Sequence, residues 1–340
     1  MADQRKPRKR RKKQRECDSL LDPMNFGDAT ALDMIGSDLA SEEADELEVA
    51  VDSNPNDLAS RIKLLGYYAR RQYSDKAAAQ QRIKHIIWIV DNLPECPTAG
   101  DCAALVVEGP KSSGNYEEVK SHWLKQIDQD RPVVLGNAAH FFIHSDIETS
   151  ESLLLRAQAL DPENPHWSER LSHLYHLWKK PVERLRSISE SLALETREHK
   201  VFYKMSDLAS AQFAAGEIIA AEETCGKLLM IAENYKDDWN YGNAVHIANI
   251  VLGRVCLNRG DVSAACDYLL RAGDTPGSPQ LNSFGPKFGL ARDLLLEHDE
   301  REVVIQYLKR CSQFWKMGKR QLKEWIEKLK NGETPDLFEY

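Results

Sequence analysis

Apolar residues recur every three or four positions from about residue 41 onwards, and breaks rich in Gly, Pro, Asn or Asp divide this pattern into segments of about a dozen residues. The first segment starts at Ser41, a capping residue followed by acidic side chains, and ends near Asn54-Pro55. This period is typical of amphipathic α-helices, and no convincing stretch alternates apolar and polar residues. The sequence therefore predicts an all-α fold.

The two ends of this pattern differ from its middle. Residues 16–40 are weakly patterned and predict no particular element. At the other end, Leu322, Trp325, Ile326 and Leu329 follow the i, i+3, i+4, i+7 spacing, and Asn331-Gly332 ends the segment. We therefore predict a terminal capping helix over residues 319–330 and a C-terminal tail over 332–340. A helix that binds a partner is the alternative reading of 319–330.

One internal segment interrupts the helical pattern. Residues 273–285 contain the breaks Pro276-Gly277 and Ser278-Pro279, and the segment is too long for a minimal inter-helix turn. We expect this segment to run over the surface as a rigid spacer, with a ligand-contacting lip as the alternative.

A 34-residue repeat emerges when residues 131–164 are numbered from 1. Ala138 then stands at position 8, Phe141 at 11, Ala157 at 27 and Pro162 at 32. These are the small, aromatic and proline positions of a two-helix unit that stacks on copies of itself. The window therefore resembles a tetratricopeptide repeat.

Further windows show the same spacing. Numbering from His246 puts Gly253 at position 8, Ala265 at 20 and Ala272 at 27, so residues 246–279 are the best match in the chain. A third copy spans 202–235. Looser copies start at Pro165 and Phe284, and a degenerate one lies around residues 64–79.

The resemblance implies an α-α superhelix, a solenoid of antiparallel helix pairs with a concave inner face. A single helix pair cannot bury its apolar stripe alone, and small residues at the contacts allow neighbouring pairs to approach closely. We expect the helical repeat domain over residues 53–331 and an acidic lead-in segment with a first helix over 21–52. An unrelated helical bundle is the alternative.

The same resemblance implies which residues line the concave groove. In this family the groove is lined by positions 2, 5, 9, 12 and 13 of each first helix, and here these positions mix apolar side chains with two arginines. Such a lining suits a peptide or partner helix with apolar anchors and some acidic character. Some members of this family bind the C-terminal tails of chaperones through a clamp of basic side chains. The recognisable repeats of this chain lack those side chains. The candidate partner-binding residues are Leu135, Phe142, His173, His176, Tyr203, Phe213, Arg254, Asn258 and Arg292.

Charge is concentrated at the N-terminus. Residues 1–15 hold nine Lys or Arg against one Asp, a net charge of about +8, whereas the whole chain carries −8. The remaining chain is therefore acidic. A segment so charged and so poor in apolar residues cannot bury enough surface to fold, so we predict a disordered basic arm over residues 1–20. Its candidate polyanion-binding residues are Arg8, Lys9, Arg10, Arg11, Lys12 and Lys13.

This arm admits three interpretations. It could contact RNA or DNA through counterion release, without base specificity because no aromatic residue is interleaved. It could act as a nuclear localisation signal if the source is eukaryotic. It could also fold back on acidic stretches such as residues 38–48, an interaction that salt would screen.

Signatures of catalysis are absent from the sequence. The sequence contains no nucleophile-elbow motif of hydrolases, no set of protein-kinase motifs and no dinucleotide-binding fingerprint. His140 and His144 stand four residues apart, but no Cys-x-x-Cys or His-Glu-x-x-His motif supports a metal site. We therefore expect no enzyme activity, no cofactor and no metal. A hydrolase that uses His173 or His176 is a third, separate hypothesis.

Cysteine usage and hydropathy bear on the compartment. The seven cysteines are scattered and odd in number, which favours a reducing compartment over a disulfide framework. No apolar run suits a signal peptide or a membrane span. We therefore expect a soluble, cytoplasmic protein without membrane contacts. Its expected function is a protein-protein interaction scaffold, and the alternative is a nucleic-acid-associated accessory protein that uses the basic arm while the solenoid recruits a partner.

Overall fold

The computed structural model describes residues 26–101, 104–106 and 114–337. Within these ranges the chain forms 17 α-helices and no β-strand, which confirms the all-α prediction. The predicted basic arm and its Lys/Arg cluster lie outside the described residues. The helices are α1 (Phe26–Ser37), α2 (Ser41–Ser53), α3 (Leu58–Arg71), α4 (Lys76–Asn92), α5 (Asn115–Gln126), α6 (Pro132–Phe142), α7 (Ile147–Leu160), α8 (Pro165–Leu177), α9 (Pro181–Leu194), α10 (Glu198–Ala214), α11 (Ile218–Ala232), α12 (Tyr241–Asn258), α13 (Val262–Gly273), α14 (Pro279–Phe284), α15 (Gly289–His298), α16 (Arg301–Phe314) and α17 (Lys319–Lys330).

The chain divides into two compact units. The first ends at Leu174 and the second begins at Tyr175, so the division falls within α8.

In the first unit, helices that follow one another along the chain pack together: α3 contacts α2 and α4, α4 contacts α5, and α6 contacts α7. The small residues Ala138 and Ala157 of the 131–164 window are fully buried. The Ser150 hydroxyl of α7 donates to the Ala139 carbonyl of α6 over 2.8 Å. The helix pair predicted in this window is therefore present as α6 and α7.

A buried polar network joins α2, α3 and α4. Arg61 Nη1 lies 3.1 Å from His85 Nδ1, and His85 Nε2 lies 2.9 Å from Glu48 Oε1. Because arginine only donates, His85 accepts at Nδ1 and carries its proton on Nε2. Arg61 also donates to the Pro55 carbonyl. The buried guanidinium therefore has partners on both sides.

In the second unit, helix pairs stack in chain order. The pairs are α10 with α11, α12 with α13, and α15 with α16. First helices contact first helices, since α10 packs on α12 and α12 on α15, and the second helices α13 and α16 also pack together. At Gly253 of α12 a methyl group would lie 2.3 Å from Leu290 Cδ2 of α15. The predicted small position therefore does allow the next pair to approach.

The number of residues between the starts of successive first helices is constant at first and larger towards the C-terminus. Helices α6, α8 and α10 begin 33 residues apart, at Pro132, Pro165 and Glu198. The next first helices begin at Tyr241 and Gly289, so these intervals are longer. The extra residues form a 3₁₀ turn at Glu233–Tyr235 and helix α14.

Two helices were not predicted from the sequence. Helix α14 lies in segment 273–285, where the Ser278 hydroxyl accepts from the Leu281 N–H at 3.0 Å and donates to Asn243 Oδ1 on α12 at 2.6 Å. The segment is therefore docked on α12. Helix α1 lies in the weakly patterned region, and a methyl group at its Gly36 would lie 1.9 Å from the Lys63 carbonyl oxygen of α3. The absence of a side chain at Gly36 therefore allows α1 to pack closely against α3.

The C-terminal helix has the predicted bounds. Helix α17 spans Lys319–Lys330 and packs on α16. Its residues Leu322, Trp325 and Leu329 are buried, as the apolar spacing indicates.

Candidate functional site

Two residues expected to line a binding surface are core residues. Leu135 and Phe142, both on α6, have 0% exposed surface. Phe142 packs edge-on against Phe141, with ring centroids 5.0 Å apart. A side chain without exposed surface cannot contact a partner in this conformation, so both leave the candidate set. An apolar residue at a groove position of the repeat can equally serve packing, and numbering alone does not separate the two roles.

The two histidines of α8 are exposed. His173 belongs to the first unit and His176 to the second. Each stays a candidate contact residue within its own unit.

Tyr203 of α10 is engaged within the protein. Its hydroxyl donates to Asp238 Oδ2 over 2.8 Å, and its ring lies 5.0 Å from the Trp239 ring between centroids. Burial and the bond to Asp238 raise the pKa of Tyr203. The side chain that offers surface at this place is Trp239, which is 47% exposed and which the repeat pattern did not single out.

Three of the predicted residues do meet, on the first helices of consecutive pairs. The Arg254 guanidinium of α12 lies 5.6 Å from the centroid of the Phe213 ring of α10, within the range of a cation–π contact. Arg254 Nη2 also lies 3.2 Å from Asp293 Oδ2 of α15. Arg292 Nε lies 3.5 Å from Asp293 Oδ1. We call Phe213, Arg254, Asn258, Arg292 and Asp293 the arginine surface.

The charge of the arginine surface is unbalanced. Two guanidinium groups share the single carboxylate of Asp293, which leaves one net positive charge among these three residues. Both arginines are partly exposed, so these ion pairs contribute at most about 1 kcal/mol to stability. Each guanidinium carries five N–H groups, and a contact to Asp293 uses only part of them. The arrangement can therefore accept a further carboxylate.

The remaining members complete a mixed surface. Asn258 follows Arg254 by one helical turn on α12 and is exposed, so its amide can donate and accept hydrogen bonds next to the arginine. Phe213 supplies a half-buried apolar face. Apolar contact, charge and an amide thus occupy one surface across α10, α12 and α15.

Sequence reasoning found the arginines and missed Asp293. The repeat numbering selects Arg254 and Arg292, because both stand at position 9 of a first helix. Asp293 stands one position later, outside the groove positions of the repeat. A search for an acidic residue that could bridge the two arginines would have identified it.

Comparison with known proteins adds no family assignment: no protein-family model matches the chain, and no curated protein matches it significantly. In the part of the chain that the structure describes, none of the helices combines the length and the hydropathy needed to cross a membrane. The same residues contain no group of three His, Cys, Asp or Glu side chains placed to hold a metal ion. Fold and surface together define an all-α protein of consecutively packed helix pairs that carries a cationic surface on its first helices.

Proposed function

We propose that this protein is a tetratricopeptide-like, non-catalytic scaffold that binds a peptide or partner helix on the arginine surface. The proposal is supported by one observation above all: Phe213, Arg254 and Arg292, chosen as contact residues from the repeat pattern, meet on the first helices of consecutive pairs. The partner presents an acidic side chain to the arginines and an apolar one to Phe213. We place this scaffold in the reducing environment of the cytoplasm.

Removal of the two positive charges of the arginine surface tests this proposal. We would place a photo-crosslinking amino acid at Asn258 and compare wild type with an Arg254→Ala/Arg292→Ala variant in the native cell. A discrete crosslinked protein partner that is lost in the variant supports the proposal. No crosslink, or an unchanged crosslink in the variant, contradicts it.

A matched control separates the surface from a general loss of charge. Arg271 of α13 lies 5.1 Å above the Tyr268 ring, so it forms the same type of cation–π contact on a second helix. The Arg271→Ala variant should retain the crosslink. Far-UV circular dichroism melts of all variants should coincide, because the arginines of the surface contribute little to stability.

A second candidate function is nucleic-acid association through the basic arm. It is favoured by the nine Lys or Arg among residues 1–15. Deletion of residues 1–15 distinguishes the two functions. Partners that survive both the deletion and nuclease treatment support the scaffold, whereas association that depends wholly on nucleic acid and salt supports the alternative.

A further inference from the structure

A groove opens in the second unit between α11 and α13, and α12 forms its floor. Its volume is about 550 Å³, within the range of roughly 300–1,000 Å³ that is typical of ligand sites. The groove shares no residue with the arginine surface. The lining residues that bear on its chemistry are Glu222 and Gly226 of α11, Asn249 and Leu252 of α12, and Tyr268 and Arg271 of α13.

Gly226 leaves the backbone of α11 uncovered in this groove. The residue is exposed, and a methyl group at its position would meet no described atom within 4 Å. At the helical glycines Gly136 and Gly253, by contrast, the methyl group would lie 2.5 and 2.3 Å from a side chain of a neighbouring helix. Glycine inside a helix is less favourable than alanine by about 1 kcal/mol. Packing among the described residues does not account for Gly226, whereas a ligand that approaches the α11 backbone closely would require it.

Asn249 has unused hydrogen-bonding capacity at the floor of the groove. The residue is only 5% exposed, and its Nδ2 donates to the Val245 carbonyl of the same helix over 2.7 Å. Its Oδ1 accepts no hydrogen bond from the described residues. Buried side-chain amides normally have partners for their polar atoms. A donor group that enters the groove can therefore supply the missing partner of Asn249.

The charges that line the groove are balanced except at Arg271. The Glu222 carboxylate accepts hydrogen bonds from both terminal nitrogens of Arg259, and Asp274 is paired with Arg310. The Arg271 guanidinium lies over an aromatic ring of its own helix and has no carboxylate partner among the described residues. The groove thus presents one uncompensated positive charge, which an acidic side chain would balance.

We propose that the groove between α11 and α13 binds an amphipathic helix of a partner protein. An acidic side chain of that helix pairs with Arg271, a small residue lies against Gly226, and a hydroxyl or amide donates to Asn249. The occupant is a helix because the comparable glycines of this protein each admit a neighbouring helix. The lining of α11 from Glu222 to Leu229 also covers about 10 Å, or two helical turns. This inference does not rest on the arginine surface, so the two proposals can fail separately.

Selection from a displayed peptide library tests the proposal on the full chain. The probe is a set of alanine-rich helical peptides of about 16 residues, randomised on one face. Peptides are selected on the Arg254→Ala/Arg292→Ala variant, so that ligands of the arginine surface are not recovered. Peptides that also bind the same chain with Gly226→Ala added are removed. We expect the remaining pool to be enriched in peptides that carry Asp or Glu near a small residue.

The dissociation constant of an enriched peptide gives the size of the effect. In Gly226→Ala it should rise at least about tenfold, because the methyl group occupies the space of the approaching helix. The peptide should also gain helical circular dichroism when it binds. A pool that is empty after removal, or one without acidic residues, overturns the site. Binding without a gain of helicity overturns the helix as occupant.

A charge test connects the acidic residue of the peptide to Arg271. In Arg271→Gln the dissociation constant should rise about threefold or more, and no difference should remain when the acidic residue of the peptide is replaced by its amide. The matched control is Lys227→Ala, which removes an exposed cation of α11 that does not line the groove. This control should leave binding unchanged. If it weakens binding as much as Arg271→Gln, the effect is general charge and the site is wrong.

Thermal melts separate loss of binding from loss of folding. Gly226→Ala should melt no lower than wild type, because alanine favours the helix and its methyl group has open space. A variant that is at least as stable as wild type cannot have lost the peptide through unfolding. If Gly226→Ala melts lower, the glycine has a packing role within the protein and the proposal fails.

Discussion

Glu195 allows the energetics of this fold to be tested most directly. It follows α9, and its buried carboxylate accepts hydrogen bonds from Arg197 Nε and Nη2 at 2.8 and 2.9 Å. It also lies 3.4 Å from Nζ of the buried Lys204 on α10, which donates to the Ser191 hydroxyl as well. The carboxylate therefore joins α9 to α10 through a buried ion pair.

The change Glu195→Gln keeps the shape of the side chain and removes its charge. Loss of one partner of a buried pair typically costs about 3–5 kcal/mol, because the other charge stays buried without compensation. Arg197 is more than half exposed, so water replaces much of its contribution. We therefore expect a loss of about 3 kcal/mol in the free energy of unfolding at pH 7, near the lower end of that range.

The pH dependence of this effect has a definite sign. The hydrogen bonds from Arg197, aided by the charge of Lys204, lower the pKa of Glu195 to about 2 from its ordinary value of 4.5. A carboxyl group with a depressed folded-state pKa stabilises the fold above pH 4.5, and this contribution is lost as the pH falls towards 2. The difference between wild type and Glu195→Gln should therefore narrow as the pH falls below 4.5.

Urea denaturation followed by far-UV circular dichroism at several pH values measures both effects. The matched control is Glu190→Gln, on α9, where an exposed carboxylate lies 4.0 Å from Arg186. This control should change stability by less than about 0.5 kcal/mol. If Glu195→Gln destabilises no more than the control at pH 7, or if its deficit persists unchanged in acid, the reasoning about the buried pair is refuted.

Two further predictions concern packing and hydrogen bonding. Gly136→Ala should destabilise the fold by about 1–3 kcal/mol, because the added methyl group would overlap the Trp167 ring. Gly226→Ala, in the middle of α11 with open space around it, should instead stabilise the fold by up to about 1 kcal/mol. Equal effects of the two substitutions in thermal melts would contradict this account. Tyr307→Phe should cost about 1 kcal/mol, because the hydroxyl donates to the Lys287 carbonyl over 2.7 Å, and an unchanged urea midpoint would show that this bond contributes nothing.

Much of the fold was predictable because helix periodicity and small residues act locally. The apolar spacing of α17 predicts a helix with one buried face, and the small residues Ala138 and Gly253 predict close contacts between helices. The structure shows both. Helix α1 escaped prediction because its contact with α3 relies on the missing side chain of Gly36. Helix α14 escaped because Ser278 uses a partner on α12, which lies far away in the sequence.

The candidate surfaces were predictable only in part. Position 9 of the repeat identifies Arg254 and Arg292 as residues of the first helices, and the structure brings both to Asp293. The same kind of numbering selected Phe142, which is buried in α6. The position of a residue in the repeat therefore indicates which face of the helix it occupies. It does not indicate whether that face is exposed or packed against another helix.

The role of each arginine is decided by the neighbouring helix, which the local sequence does not encode. Arg184 meets Asp207 of the next helix, and this contact makes it structural. Arg254 shares its carboxylate with a second arginine, so some of its hydrogen-bonding capacity is left for a partner. To assign a function to a charged residue in stacked helices, one must therefore know which charged side chains of the neighbouring helix lie next to it. The local sequence does not give this information, because it depends on which helices pack together.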